Sequence, residues 1–268
     1  MADSLLAHLA VSLVIGGAFI ACCSLAAEFF GPEVGGIIAG LPSTAVITLL
    51  VVALTDSPDR AVAETTFIPV ILGLNCLYLV IYALTASWGA TLALTAALAT
   101  WLALAVVAVV YAPRHLPTSL VLLGVAFGVS YALLNVTVRR GTVAGSPVRL
   151  GPLQVLARAA FGGAVIALGV WLSHTGGPFV GGVAAVFPAA GVSTLMIVSW
   201  SRGVQFSLGL LQPMMVSGSI TILVYALVVR YAYLSLGVIG GTVAASAASG
   251  GSAYLLYRWR QWGSRPEE

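Results

Sequence analysis

The residues of this sequence most able to bind a polar ligand follow a proline within an apolar segment. Pro42 is followed by Ser43 and Thr44, and Gly40 stands two residues before it. Pro42 lies about ten residues, or roughly 15 Å, after the start of a predicted helix, near the middle of a bilayer. Proline lacks a backbone donor and suits the first turn of a new helix. We therefore predict a broken helix whose second half offers free N–H groups and two hydroxyls.

A second proline in an apolar segment, Pro188, repeats this arrangement with fewer hydroxyls. Ala189 and Ala190 follow it, and Ser193 and Thr194 come one turn later. Two broken helices that cross at mid-membrane would form an asymmetric polar site between them. The alternative is that both prolines kink helices for packing and that the small neighbours permit close approach.

Two amide side chains in other apolar segments could belong to the same site. Asn75 lies beside Cys76, and Gln212 precedes Pro213. A buried amide needs hydrogen-bond partners, which are either substrate atoms or groups on neighbouring helices. The candidate substrate-binding residues are Gly40, Pro42, Ser43, Thr44, Asn75, Pro188, Ser193, Thr194 and Gln212.

Few ionisable residues lie where they could act inside a membrane, a position in which they are costly and usually functional. Glu28 and Glu33 flank the first predicted hairpin, and Arg158 lies about two turns into a later segment on the same side. A pair between Arg158 and either acid would act as a gate or a brace, whereas snorkelling of all three to the interface is the alternative. His174, predicted at the opposite face, could titrate near neutral pH or be a solvated loop residue.

A short turn that is predicted at the outer face carries Asp56, Asp59, Arg60 and Glu64. We expect these four side chains to be solvated in a loop. Ion coupling through a buried acid therefore has weak support.

Catalysis and metal binding also have little support. The three histidines are all predicted at the outer face, and the three cysteines lie in apolar runs without the spacing of metal ligands. No Asp/Glu motif inside an apolar segment would hold a metal or activate a nucleophile. We therefore predict that the protein is not an enzyme and has neither catalytic residues, nor a metal site, nor a cofactor.

The elements that carry these residues are predicted to be membrane-spanning helices. Of the 268 residues, 60% are hydrophobic and 7% are charged, which excludes a soluble globular protein and makes the lipid bilayer a partner. The 11 basic residues form no cluster that could follow a phosphate backbone, which excludes nucleic acid. Breaks at charges, proline and glycine predict nine spans, near residues 4–28, 33–54, 62–84, 89–111, 117–138, 152–173, 177–200, 204–229 and 232–257.

The distribution of arginine predicts the orientation of these spans. Three loop arginines, Arg60, Arg114 and Arg230, fall on one face. The opposite face receives Arg139, Arg140, Arg149, Arg202, Arg258, Arg260 and Arg265. The positive-inside bias places the second face in the cytoplasm. We expect a multi-pass protein of the plasma (inner) membrane with its N-terminus outside and its C-terminus cytoplasmic.

An internal repeat relates the two halves of the chain. Residues 16–48 align without a gap onto residues 162–194, with 14 identities in 33 positions, and both contain G-P-x-V-G-G-x-x-A-x-x-P. Further on, Pro69 matches Pro213 and Tyr82 matches Tyr225. This predicts a four-span repeat at residues 1–112 and again at 152–262, with a linking span and loop at 113–151 and a tail at 263–268.

Because one span separates the two copies, the second copy enters the membrane from the opposite side. The predicted fold is an all-α integral membrane protein with about nine spans, two inverted four-helix repeats and proline-broken helices 2 and 7. Inverted repeats recur in secondary transporters, where two like units can open a central site to either side. The alternative is that duplication only built a stable bundle.

The repeat unit resembles the small GlpM-like membrane proteins. The resemblance is carried by residues 180–188, Val-Gly-Gly-Val-Ala-Ala-Val-Phe-Pro, and by residues 39–44, Ala-Gly-Leu-Pro-Ser-Thr. It covers about four-fifths of the chain, once in each half, and the chain departs from the family in being a fusion of two units. The resemblance implies a fold and implies no substrate, because the small proteins have no assigned chemistry.

These observations favour a transporter or facilitator of a small polar or anionic solute, which binds between helices 2 and 7 and moves by alternating access. A non-transporting accessory subunit of a membrane complex, such as one that exports an envelope polymer, is an alternative. A lipid translocase and a passive channel also stay open. The expected partners are a small molecule or ion, and association of several copies of the chain stays open.

Overall fold

A computed structural model describes residues 10, 13–18, 21, 42–111, 114–138 and 151–263. Every regular element in this part of the chain is helical. In chain order the helices are α1 (Ser43–Thr55), α2 (Pro58–Thr65), α3 (Ile68–Thr85), α4 (Ala90–Tyr111), α5 (Leu116–Thr137), α6 (Pro152–Gly176), α7 (Pro178–Ala185), α8 (Ala189–Arg202), α9 (Val204–Leu208) and α10 (Leu211–Gly263). A 3₁₀ turn, Ala86–Trp88, extends α3, and residues 13–18 are also helical.

Six helical stretches within these residues are long and apolar enough to cross a membrane. They are Ile68–Trp88, Ala90–Tyr111, Leu116–Thr137, Pro152–Gly176, Pro178–Trp200 and Val204–Trp259, and Ser43–Thr55 is a shorter apolar helix. This is the build of a multi-pass helical membrane protein, as the composition predicts. The count of nine spans stays a prediction, because most of the first two spans lies outside the described residues.

The last stretch is too long to cross a bilayer once. Its 56 residues would extend roughly 84 Å as one helix, against a hydrocarbon thickness of about 30 Å. The helix is interrupted at Gly237, with φ 72° and ψ 169°, a conformation that glycine adopts without a steric penalty. Gly89, between α3 and α4, has a similar conformation, with φ 93° and ψ 161°. Both glycines turn the chain from one apolar helix into the next.

The predicted boundary near Arg230 is therefore wrong, since α10 continues through this residue to Gly237. Arg230 donates hydrogen bonds to the Thr66 hydroxyl at 2.8 Å and to the Thr65 hydroxyl at 3.2 Å. These bonds join the arginine to the C-terminal end of α2, where a cation is favourable. A charge that the sequence places in a loop is instead held between two helices.

Helix α3 forms the centre of the bundle and packs against α4 and α5. Its sequence is apolar on all sides, as expected of a helix surrounded by others. The large side chains Tyr78, Tyr82, Ile71 and Leu72 of α3 are buried. The outer faces of α4 and α5 expose apolar side chains, among them Leu92, Leu102, Val106, Val110, Val121, Val125 and Val129, as expected of surfaces that contact lipid.

Glycines bring the first helical segment close to α6. A Cβ atom on Gly163 would lie 2.5 Å from the carbonyl oxygen of Leu13 and 3.3 Å from the Cα atom of Gly17. Such an approach of two backbones requires a residue without a side chain. Gly17 and Gly163 are equivalent positions of the sequence repeat.

Candidate functional site

The predicted break at Pro188 is present. Helix α7 ends at Ala185 and α8 begins at Ala189, with Pro188 at φ −76° and ψ 46°. Helix α1 begins at Ser43, directly after Pro42 at φ −75° and ψ 49°. The two prolines thus introduce their helices with nearly the same backbone conformation. Gly40 and the segment before Pro42 lie outside the described residues, so the first predicted break is described on one side only.

The backbone closes tightly around Pro188. The Phe187 N–H donates to the Ala184 carbonyl at 3.2 Å, and the Ala189 N–H donates to the Phe187 carbonyl at 2.7 Å. Proline has no N–H of its own, so the regular ladder cannot pass this point. The carbonyl of Val186 also has no regular helical partner, because α7 ends at Ala185 and α8 begins only at Ala189.

Asn75 provides the missing partner. Its side-chain N–H donates to the Val186 carbonyl at 3.0 Å, and its carbonyl oxygen accepts from the Trp101 indole N–H at 2.7 Å. The rings of Trp101 and Phe187 are in edge-to-face contact with centroids 5.2 Å apart. Asn75 thus joins α3 and α4 to the broken helix. This is the alternative in which the buried amide bonds groups on neighbouring helices. It also lines the cavity described next.

A cavity of about 100 Å³ lies where the two helix starts meet. It has room for several water molecules or a small solute. Of the predicted binding residues, Ser43, Thr44, Asn75 and Pro188 line it. The rest of its wall is mainly apolar and is formed by Leu72, Cys76, Tyr78, Leu79, Val186, Phe187, Ala190, Gly191, Met214, Met215, Gly218, Ser219 and Ile222.

The cavity wall includes a residue with an unsatisfied polar group, which the sequence interpretation missed. Tyr78 is 2% exposed, and its hydroxyl has no hydrogen-bond partner in the described part of the chain. A buried hydroxyl without a partner costs about 1–3 kcal/mol. The first-turn N–H groups of Ala190 and Gly191 also have no acceptor within their own helix. A bound polar atom would satisfy such groups, and the positive ends of both helix dipoles favour a negative one.

The other predicted binding residues lie elsewhere. The Ser193 hydroxyl donates to the Ala190 carbonyl within its own helix at 3.1 Å, and the Thr194 hydroxyl accepts from Arg158 at 2.9 Å. Arg158, Ser193 and Trp200 line a separate cavity of about 520 Å³. Gln212 donates to Asn135 at 2.6 Å on the outer side of the bundle. Ser193 and Thr194 lie about one helical turn after the start of α8, and this spacing places them away from the helix start.

The predicted gating residues are only partly described. Glu28 and Glu33 lie outside the described residues, so their pairing with Arg158 stays a prediction. His174, at the end of α6, lies with its Nε2 atom 3.3 Å from the Thr55 hydroxyl. It contacts the end of α1 rather than the central cavity.

Helix α2 corrects the prediction of a solvated turn. Ser57 caps its first turn by accepting from the Arg60 N–H at 3.2 Å, and Pro58 occupies the first helical position. The face formed by Ala61, Glu64 and Thr65 is buried. The spacing of these three residues, i, i+3 and i+4, is the sequence signal that the loop interpretation overlooked.

Glu64 is fully buried beside the broken helix. Its carboxyl group accepts a hydrogen bond from Ser173 on α6. Arg60 forms an ion pair with Asp56 at 2.5 Å and donates to the carbonyl of Ser173. Burial raises the pKa of Glu64 to about 8, although the Ser173 hydrogen bond and the charge of Arg60 oppose this rise. The carboxyl group therefore titrates near neutral pH.

The repeated glycine pair makes room for this acid. A Cβ atom on Gly181 of α7 would overlap the Glu64 carboxyl group, and one on Gly182 would lie 3.0 Å from the Glu64 carbonyl oxygen. Phe67 and Phe179 pack edge to face beside them, with centroids 5.4 Å apart. Helix α7 thus contacts Glu64 along its side and reaches the central cavity at its C-terminal end.

The fold and this geometry define a class: a multi-pass helical membrane protein with a small polar-edged cavity at interrupted helices. Residues 9–115 match the model of a family described as a protein of unknown function, DUF3147. No curated protein and no solved structure matches the chain. The matched region nearly coincides with the first predicted repeat, 1–112. The resemblance to the GlpM-like proteins stays a prediction.

Proposed function

We propose that this protein transports a small polar or anionic solute, or facilitates its passage, by alternating access around the central cavity. The observation that carries the proposal is the meeting of two proline-initiated helix starts at one cavity, whose wall also includes Tyr78, a residue with an unpaired buried hydroxyl. Interrupted helices whose ends face a midplane site are the recurring binding element of secondary transporters. A helix interruption that served packing alone would not need a cavity with unsatisfied donors.

Contacts between equivalent repeat positions support a two-fold relation between the halves. Near a two-fold axis, a residue of one copy approaches the same residue of the other. Gly17 approaches Gly163, and Thr44 lines the same cavity as Ala190. Both pairs are separated by 146 positions in the sequence. An axis through the cavity would let the two halves exchange conformations around a fixed site, as inverted repeats do.

The chemistry of the cavity supports a small solute that accepts hydrogen bonds. The donors of the residues on its wall are the hydroxyls of Ser43 and Thr44 together with first-turn backbone N–H groups, and the buried hydroxyl of Tyr78 belongs to the same wall. Among the described residues, no Arg side chain lines this cavity. Recognition would depend on dipoles and hydroxyls, which suits a small anion or a compact neutral polar molecule. We also propose the orientation with the C-terminus in the cytoplasm, on the distribution of arginine.

Uptake into proteoliposomes tests the proposal. Radiolabelled phosphate, sulfate, acetate and glycerol serve as probes for the purified protein. Tyr78→Phe and the double variant Ser43→Ala with Thr44→Val should each reduce uptake of a transported probe at least tenfold while the protein elutes normally from a sizing column. Tyr131→Phe, at an exposed tyrosine of α5, and Thr95→Val, at an exposed threonine of α4, are the matched controls and should transport normally.

Uptake that is unchanged in both cavity variants would refute the site. The absence of uptake of every probe, together with co-purification of one fixed partner, would favour the accessory-subunit alternative.

Lipid translocation is the second candidate, and one observation favours it. An apolar cavity of about 390 Å³ lies between α4 and the α6–α7 pair, and Phe187 lines both this cavity and the central one. An acyl chain would fit such a wall. Translocation of a fluorescent phospholipid by the same proteoliposomes, reduced by Val109→Trp in the apolar cavity, would select this candidate.

A further inference from the structure

The side chain of Glu64 is in an environment that favours the protonated carboxyl group. One oxygen accepts from Ser173, and the other is buried with no hydrogen-bond partner in the described part of the chain. A carboxylate with an unpaired oxygen in a buried site is costly, whereas the neutral acid costs much less. The surroundings thus stabilise the uncharged form.

The nearest cation is engaged with other groups. Arg60 binds Asp56 and the carbonyl of Ser173, while its Nε atom is buried with no hydrogen-bond partner in the described part of the chain. Helix α7, which packs against Glu64, has no ionisable side chain. Other charged or titratable groups on surrounding elements are His174 against Thr55, Arg230 against Thr65 and Thr66, and Arg114 over the ring of Phe179.

Helix α7 connects this acid to the central cavity. Gly181 contacts the carboxyl group, and the helix ends four residues later at Ala185. Residues 186–188, which follow directly, form part of the cavity wall. An eight-residue helix is about 12 Å long and moves as a rigid element. A displacement of α7 at Glu64 therefore displaces the cavity wall.

We propose that Glu64 is a proton-binding site whose deprotonation releases α7 and opens the central cavity. Loss of the proton breaks the carboxyl O–H bond, leaves the electron pair on the oxygen and passes the proton to water. The resulting carboxylate has one oxygen without a hydrogen-bond partner and Gly181 packed against it, so closer approach of water or of the Arg60 guanidinium favours movement of α7. This inference rests on the proposed transport function for its role: the proton would be the ion coupled to solute movement.

Labelling of Cys76 by N-ethylmaleimide tests the coupling without any transported solute. Cys76 lines the cavity and is buried, and the variants Cys22→Ser and Cys23→Ser remove the other two cysteines. Labelling rates are compared between this background and the same protein with Glu64→Gln from pH 6 to pH 10. Because both proteins carry the same thiol, the ratio of their rates cancels the ionisation of Cys76.

The labelling rate of the parent protein divided by that of Glu64→Gln should be near one at pH 6. This ratio should rise severalfold with a midpoint near pH 8, the pKa of Glu64. Glu64→Asp retains a titrating carboxyl group and should retain a pH-dependent ratio. The infrared band of a protonated carboxylic acid should disappear over the same pH interval in the parent protein and be absent from Glu64→Gln. This measurement on the parent protein needs no variant to fold.

A ratio that stays at one throughout, or an infrared spectrum with Glu64 already ionised at pH 6, would overturn the proposal. The experiments test the proton site and the transport function separately. Solute uptake with pH-independent labelling would remove the proton site and keep the transporter. A pH-dependent ratio without uptake of any probe would keep the proton-driven opening and remove the solute.

Discussion

Replacement of Asn75 by leucine tests how the interruption at Pro188 is stabilised. The substitution removes a side chain that bonds the Val186 carbonyl and the Trp101 indole at once. Both partners are buried, with exposures of 1% and 2%, so water cannot replace the lost bonds without a rearrangement. An unsatisfied buried group costs about 1–3 kcal/mol, and two of them cost roughly 2–6 kcal/mol.

Thermal or denaturant unfolding of the detergent-solubilised protein measures this loss. The matched control is Asn135→Leu, since Asn135 is an exposed amide on α5 with a single side-chain partner, Gln212. We expect the control to cost less than about 1 kcal/mol. A double-mutant cycle of Asn75→Leu with Trp101→Phe isolates the indole bond, for which we expect a coupling of about 1 kcal/mol.

Equal stability losses in Asn75→Leu and Asn135→Leu would refute the reasoning. That outcome would mean that the freed carbonyl of Val186 finds another donor when Asn75 is absent. The interruption would then be held by Pro188 alone.

Two further predictions concern the acid and the glycine that faces it. The pKa of Glu64 is raised in the folded protein from its ordinary value of 4.5 to about 8, so its contribution to stability is complete below pH 4.5, falls as the pH rises and levels off above about 8. A difference of one pKa unit corresponds to about 1.4 kcal/mol, so the free energy of unfolding falls by roughly 5 kcal/mol over this interval. Glu64→Gln should abolish this pH dependence in unfolding experiments from pH 4 to pH 9. Gly181→Ala should lower the unfolding midpoint, because its methyl group would overlap the Glu64 carboxyl group. Gly251→Ala is the control and should not lower the midpoint, because the space around Gly251 is open. Equal midpoints for the two alanine variants would contradict the contact between Gly181 and Glu64.

The sequence pattern predicts the class of fold and one side of the site because these depend on local rules. An apolar segment of sufficient length predicts a spanning helix, and a proline within it predicts an interruption wherever it stands. Pro188 confirms this directly. Ser43 and Thr44 line the cavity, in agreement with the site predicted from their place directly after such a proline.

The rest of the site depends on contacts between segments far apart in the chain. Tyr78 has no sequence feature that distinguishes it from other tyrosines of an apolar helix. Whether its hydroxyl finds a partner depends on the segments that pack around α3 in the folded protein. The sequence predicts a loop at Arg230 because a charge in an apolar run usually ends a span. The contacts of Arg230 with Thr65 and Thr66 of the α2 end explain its place within α10.

The two predicted repeats differ at the positions where chemistry is possible, and this difference favours the proposed transporter over a symmetric bundle. At the helix starts, Ser43 and Thr44 of the first half correspond to Ala189 and Ala190 of the second. Helix α2 contains Glu64, whereas α9, which precedes the proline-bearing α10 as α2 precedes α3, contains no ionisable residue. The packing of apolar faces does not by itself require such a division. A protein that binds a solute with one half and a proton beside the broken helix of the other would require it.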